Sequence, residues 1–366
     1  MADLSDRILS VRELNRAMLA RQLLLERSSL SVEAAVEQVG GLQSQYAPAP
    51  YVGLWSRLQT FSRDDLTNAL VEKRVVQGTL MRSTIHVVSS REYELFAAGV
   101  RPSRQAWWSR VRRRELDGVD MEAAAARVKA LLAEGPRRQR DIVRALDEDG
   151  YPSVSWQGVG LWLDLVRVPP SGTWDQRRAD LYGDADAWLG VDPARSDSAE
   201  SGDRARPSEA DGLRHLLRSY LRGFGPSTVA DAASWAGVPT GTLRALVGEL
   251  ELRRFRDEQG RELLDVLDGP LPDADTPAPV RFLHVWEALL LVHARRTLVL
   301  PEAHRPRIFN TKNPQSFPTL LVDGVVAGTW RYSEDRVVVE PFEPLPARVT
   351  DEVEHEAARL AAFHAG

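Results

Sequence analysis

Apolar positions in this chain recur at helical spacing in long blocks, and short β-rich runs interrupt the blocks at intervals. Val11, Leu14, Met18 and Leu19, followed by Leu23 and Leu24, predict a helix over residues 11–26. Ser31 stands before the next periodic run with Glu33 in its first turn, so a capped helix starts at Val32 and stops at Gly40. Leu54, Trp55 and Leu58 place a helix over Tyr51 to Leu58, and Ser62-Arg63-Asp64-Asp65 opens another to Lys73. Strands are predicted at Val75 to Leu80 and at Ser83 to Val88. Helices followed by a short hairpin are the plan of a winged helix.

The plan recurs. Met121 to Glu134 predicts a helix, Gly135-Pro136 breaks it, a basic helix runs through Leu146, and a third element covers Trp156 to Leu165. A second hairpin is expected from Leu165 to Val168 and from Thr173 to Asp175, around the turn residues Pro169 to Gly172. A polar, acidic linker from about Gly190 to Pro207 then marks a boundary. Residues 208–267 read most clearly: a helix from Glu209 to Leu221, one from Thr228 to Ala236, and another from Thr240 to Leu250. Two β-rich runs around Asp257-Glu258-Gln259-Gly260 complete a helix-turn-helix with a wing. Beyond Val280 come a hairpin over 319–331 turning at Asp323-Gly324, a strand at Val337 to Glu340, and a helix over 350–363.

The expected fold is therefore α+β, mainly α: three tandem winged-helix modules and a small β-rich C-terminal domain. The boundaries fall at 8–115, 116–195, 205–270 and 280–366.

The stretch Gly40-Gly41-Leu42-Gln43-Ser44-Gln45-Tyr46-Ala47-Pro48-Ala49-Pro50 separates two helices and reads as an extended loop, with the glycines ending one helix and the prolines holding the chain straight. In an extended backbone Gln43 and Gln45 share a side and present two amides to one target, while Ser44 faces away. By spacing alone the loop reads more readily as an ordinary solvated connection.

Composition narrows the partners. Charged residues make up 27% and hydrophobic ones 43%, and no apolar run reaches the roughly 18 residues of a membrane span. Met1 to Arg7 lacks the basic start and apolar core of a secretory signal, so a cytoplasmic protein is expected. There are no cysteines, which excludes disulfides, thiol nucleophiles and cysteine-bound metal. The seven histidines show no ligand spacing with carboxylates, so neither metal nor cofactor is expected.

A net charge of −5 confines any nucleic-acid contact to local patches. Arg101, Arg104, Arg110, Arg112, Arg113 and Arg114 form the strongest, interleaved with Trp107 and Trp108. Others lie at 137–144 and 253–256. A solvated helix face with core tryptophans is the alternative reading of the first cluster.

Four stretches in order carry a family resemblance: Gly41-Leu42-Gln43-Ser44-Gln45, Leu80-Met81-Arg82-Ser83-Thr84-Ile85-His86, Phe224-Gly225-Pro226-Ser227-Thr228-Val229-Ala230-Asp231, and Leu321 to Trp330. With them the chain resembles, over nearly its whole length, the AlkZ-like alkylpurine DNA glycosylases, which are built from tandem winged helices. The resemblance implies a catalytic Gln-x-Gln motif at Gln43 and Gln45. Its middle position is commonly apolar and here is Ser44, and a sister YcaQ-type branch carries Asp at the second position. It also implies double-stranded DNA with an alkylated purine as partner, an open cleft that spares full base flipping, and a role in base-excision repair or antibiotic self-resistance. The sequence shows no obvious dimerisation helix, so a monomer is expected. Arg82, Thr84 and His86 become candidate DNA contacts, with a packed strand histidine the other reading of His86. Trp330 and Arg331 become candidates for groove insertion, against an ordinary structural hairpin.

The chemistry is self-consistent. A glutamine cannot act as a general base near pH 7. An N7-alkylated guanine is already cationic and leaves without protonation, so amides need only hold a water and face the oxocarbenium charge. The only lysines are Lys73, Lys129 and Lys312, none near the glutamines in sequence, which predicts a monofunctional enzyme that forms no Schiff base. Two non-catalytic readings stand beside this one: a winged-helix transcriptional regulator and a protein-interaction module.

Overall fold

The computed structural model describes residues 7–191, 206–291, 296–310 and 315–366. Most of the expected linker over 190–207, together with His293 and Lys312, lies outside the described residues.

The chain starts with β1 (Ile8–Leu9), α1 (Val11–Arg21) and α2 (Val32–Val39), then β2 (Leu42–Gln43), α3 (Ala49–Arg57), α4 (Arg63–Val71), β3 (Val75–Thr79) and β4 (Ile85–Ser89). Helix α1 stops at Arg21 instead of residue 26. Leu23 takes the left-handed conformation with φ 57°, and the Leu24 and Leu23 amides bond back to the Leu19 and Ala20 carbonyls. That is a Schellman cap built without glycine. Ser31 caps α2 through the Ala34 amide, and Gly40 ends it at φ 76° as its position predicts. The glutamine loop is extended only at Leu42–Gln43. Pro48 adopts a near-helical conformation and Pro50 enters the first turn of α3, where a missing amide costs nothing.

Next come α5 (Ser90–Val111), α6 (Met121–Leu132), β5 (Arg137–Arg138), α7 (Gln139–Glu148), α8 (Ser153–Val159), β6 (Leu165–Arg167), β7 (Leu181–Asp184) and α9 (Ala185–Leu189). The expected strand at Thr173–Asp175 does not form. Residues 169–180 are instead a loop pinned by Ser171, whose hydroxyl donates to the Arg178 carbonyl and accepts from the Asp180 and Leu181 amides, and β6 pairs with β7 beyond it.

The third segment holds α10 (Glu209–Phe224), α11 (Val229–Ala236), α12 (Thr240–Leu246), β8 (Arg253–Asp257) and β9 (Glu262–Asp265), matching the predicted three helices and two β-rich runs. After it follow β10 (Arg281–Leu283), α13 (Ala288–Leu291), α14 (Arg305–Ile308), β11 (Phe309–Asn310), β12 (Gln315–Ser316), β13 (Thr319–Val322), β14 (Val325–Ser333), β15 (Arg336–Pro341) and α15 (Ala347–Ala365). The hairpin β13–β14 turns at Asp323 and Gly324, both at positive φ.

The segments are more interwoven than separate modules would be. One six-stranded sheet, ordered β2-β4-β3-β6-β7-β5, merges the first and second hairpins, with Gly78 of β3 opposite Val166 of β6. Strand β1 pairs in parallel with β8, carrying Ile8 and Leu9 onto the β8–β9 hairpin. A single apolar core takes in Met18, Phe96, Leu216, Trp235, Leu283 and Leu321, so the first, third and last segments share one interior. Helices α5 and α10 meet backbone to backbone: a Cβ on Gly212 would lie 2.2 Å from the Gly99 nitrogen. This close crossing seats α11 against the first hairpin.

Candidate active site

Gln43 and Gln45 fall on one side of the chain, as their spacing predicts. Gln43 Nε2 donates to Gln45 Oε1 at 2.5 Å. Their surroundings differ. Gln43 sits in β2 opposite His86 and is 4% exposed, whereas Gln45 is exposed. Ser44 turns to the other side and is buried, with its amide donating to the Ile85 carbonyl.

Behind Gln43 stands Arg82. The turn between β3 and β4 places Arg82 and Ser83 at φ 53° and 59°, two consecutive non-glycine residues in a sparsely populated conformation. Arg82 Nη2 donates to Gln43 Oε1 at 3.0 Å and Nη1 to the Trp235 carbonyl of α11 at 2.5 Å. Burial lowers the Arg82 pKa to about 10, so the guanidinium remains charged at neutral pH.

Gln45 opens onto a cleft of about 460 Å³ between the first hairpin and the second segment, with Trp107, Trp156, Arg167 and Tyr182 among its walls. A neighbouring space of about 660 Å³, bordered by Arg82, Arg104 and Arg110, meets it at Ser83 and Trp107. Trp107 is 43% exposed where the two join. On the other side of the loop, Tyr46 borders a separate pocket of about 260 Å³ walled by Trp174, Trp330 and Tyr332.

The structure divides the expected DNA contacts. Arg104 is buried, donating to the Thr79 carbonyl and lying 3.7 Å from Asp164, and Arg101 is paired with the same Asp164. Both fasten α5 to the turn before β6; burial takes Arg104 away from phosphate, whereas the Arg101 side chain stays 37% exposed. Arg110 is exposed on the cleft rim. Thr84 closes its own turn by donating to the Met81 carbonyl. His86 is 3% exposed, which removes it from the DNA surface. Trp330 is 6% exposed, with Nε1 donating to the Leu283 carbonyl, so it is a core side chain and not a groove wedge. Arg331 remains exposed, 3.7 Å from Glu340. Arg167, Trp156 and Tyr182 were missed in the sequence because only the merged sheet brings them to Gln45.

Burial, reinforced by the Arg82 charge, lowers the His86 pKa to about 3. His215 and His364 are lowered to about 4, chiefly by burial and then by nearby arginines. All three stay neutral in the folded chain where the unfolded chain, with an ordinary pKa near 6.5, takes up protons. Stability from these groups is therefore complete above pH ~6.5 and falls as pH drops towards ~4 for His215 and His364 and ~3 for His86. A melting temperature recorded against pH is expected to decline across this window, and less steeply in His86→Asn.

Among the described residues no group of three His, Asp or Glu side chains is arranged to hold a metal ion. Nor is any described helix long and apolar enough to cross a membrane.

Comparison with known proteins decides the family, because the model of the AlkZ-like DNA glycosylases matches residues 36–363. The chain belongs to the AlkZ-like DNA glycosylase family. It is similar, at 23% identity over 93% of both chains, to an interstrand DNA cross-link repair glycosylase of Streptomyces sahachiroi. Its fold is similar to the solved Streptomyces sahachiroi DNA glycosylase AlkZ, with a TM-score of 0.74, 19% identity and 97% of each chain covered. As a member of this family the chain is an enzyme, a DNA glycosylase, which disfavours the regulator and interaction-module readings. The segments matched include both glutamines, Arg82 and the cleft walls.

Proposed function

We propose that this enzyme hydrolyses the N-glycosidic bond of N7-alkylated purines in double-stranded DNA, bulky adducts and interstrand cross-links included, and leaves an abasic site. The observation that carries the reading is the placement of Gln45, exposed on the wall of an open, aromatic-lined cleft with its amide held from behind by Gln43. The cross-link chemistry follows the similar Streptomyces sahachiroi repair glycosylase, and the open cleft suits it because a closed base pocket would exclude large lesions.

The cationic base leaves as a neutral purine, and charge develops on the sugar. Gln45 Oε1 retains a lone pair that can hold the attacking water or face C1′, in a site where fixed dipoles need no reorganisation. Lys73 lies over the Trp188 ring and Lys129 is 3.5 Å from Asp186, placements that suit a monofunctional enzyme. Three helix-plus-wing units would form the positive wall of the cleft, with Arg110 on phosphate, one protein copy per adduct, in the cytoplasm. Self-resistance to a DNA-alkylating natural product and general repair are both served by this activity.

The test is release of free base from a duplex with one N7-methylguanine or one bulky aromatic N7-adduct. Wild type is expected to release both and to leave unmodified purines in place. Trp107→Ala should slow the bulky substrate about 5- to 100-fold more than the methyl one, the range of one lost stacking contact. Equal slowing of both substrates would remove the adduct from Trp107.

A further inference from the structure

We propose that Arg82 is the positioning residue of the glutamine pair, and that it commits Gln43 to orienting Gln45 and leaves Gln45 alone to face the substrate. The inference rests on the glycosylase reading above.

A guanidinium has donors only, so the Gln43 atom that Arg82 touches at 3.0 Å must be the carbonyl oxygen. That choice forces Gln43 Nε2 to the other side, where it meets Gln45. A donor there requires an acceptor, so Gln45 turns its Oε1 towards Gln43. One cation thus fixes two amide orientations in series and settles which groups remain for chemistry. Gln43 Oε1 is occupied and the residue is buried. Gln45 keeps one lone pair and its Nε2 donors, on the cleft.

Arg82 is itself held from the third segment. Its other donor reaches the Trp235 carbonyl, and Gly237, at φ 76°, lies so close that a Cβ there would sit 3.0 Å from the Arg82 nitrogen and Cα. The left-handed pair Arg82 and Ser83 aims the side chain along this line. Docking of α11 on the first hairpin therefore sets the geometry of the pair, although Trp235 and Gln43 are far apart in sequence.

The experiment is single-turnover release of N7-methylguanine by the full chain, alongside DNA affinity as a function of salt. Arg82→Ala is expected to lose about 10²-fold in rate, the scale of a misplaced catalytic group, with affinity and salt slope unchanged. Millimolar guanidinium should restore part of that rate. Gln43→Glu keeps its bond to Arg82 but has no donor for Gln45, and is expected to be as slow as Arg82→Ala.

An Arg82→Ala variant that keeps its rate but loses affinity, with the salt slope reduced by about one, would make Arg82 a phosphate contact and overturn the proposal. So would a Gln43→Glu variant as fast as wild type, an outcome that stands even where Arg82→Ala fails to fold. Wild type releasing no base from any adduct would instead remove the glycosylase reading beneath it.

Discussion

Gln45→Ala is expected to slow base release from N7-methylguanine DNA by about 10²–10³-fold, the scale of removing one preorganised dipole from a developing charge. DNA affinity should be unchanged, because the exposed Arg110 on the cleft rim is untouched. Gln45 is the exposed member of the pair and lines the cleft, and its carbonyl keeps a second lone pair beside the one that Gln43 engages. Gln43→Ala should lose a similar factor by a different route, since it removes the donor that holds Gln45 and leaves one Arg82 donor without its partner. The double variant should then be barely slower than either single one, as for groups acting as a unit. Additive losses would mean that the two amides act on the substrate independently.

Asp265→Ala is expected to lose about 3–5 kcal/mol of stability, the cost of stranding a buried charge. Asp265 and Arg21 are both fully buried, with Arg21 Nη1 and Nη2 at 2.7 and 3.0 Å from the two carboxylate oxygens. Arg253 donates to the same carboxylate at 2.5 Å. Arg21 also donates to the Leu221 and Pro270 carbonyls, so α1, the end of α10 and β9 converge on one side chain. Burial lowers the Arg21 pKa, and the Asp265 charge opposes that shift. Without Asp265 the two guanidiniums keep only the weaker influence of Asp268 as counter-charge. Urea unfolding of the variant measures the effect, and a loss below about 1 kcal/mol would show that the pair is replaceable by solvent.

Elements set by local signals were legible in the sequence. Ser31 and Ser62 cap the helices they precede, and Asp323-Gly324 makes the hairpin turn it predicts. The α11, α12 and β8–β9 unit follows from its turn residues alone. What was not legible depends on partners remote in the chain. Leu23 ends α1 in a left-handed conformation that no residue type announces. Strand β6 joins β3, some ninety residues earlier, and thereby brings Tyr182 and Arg167 to Gln45. The arginines of α5 look alike in sequence, yet Asp164 and the Thr79 carbonyl claim Arg101 and Arg104 and leave Arg110 on the rim. Arg82 was readable as a cation near the site, but its bond to Gln43 was not. The glutamine pair itself emerged from the family resemblance, since two alternating polar residues carry little signal by themselves.

The central claim is tested most directly by the masses of both strands of a duplex carrying one N7-methylguanine, recorded before and after incubation with wild-type protein. The account predicts that the modified strand exchanges its methylated base for a hydroxyl, appears as an uncut abasic strand, and leaves its partner unchanged. Unchanged masses at saturating protein, on this duplex and on one with a bulky N7-adduct, would contradict it.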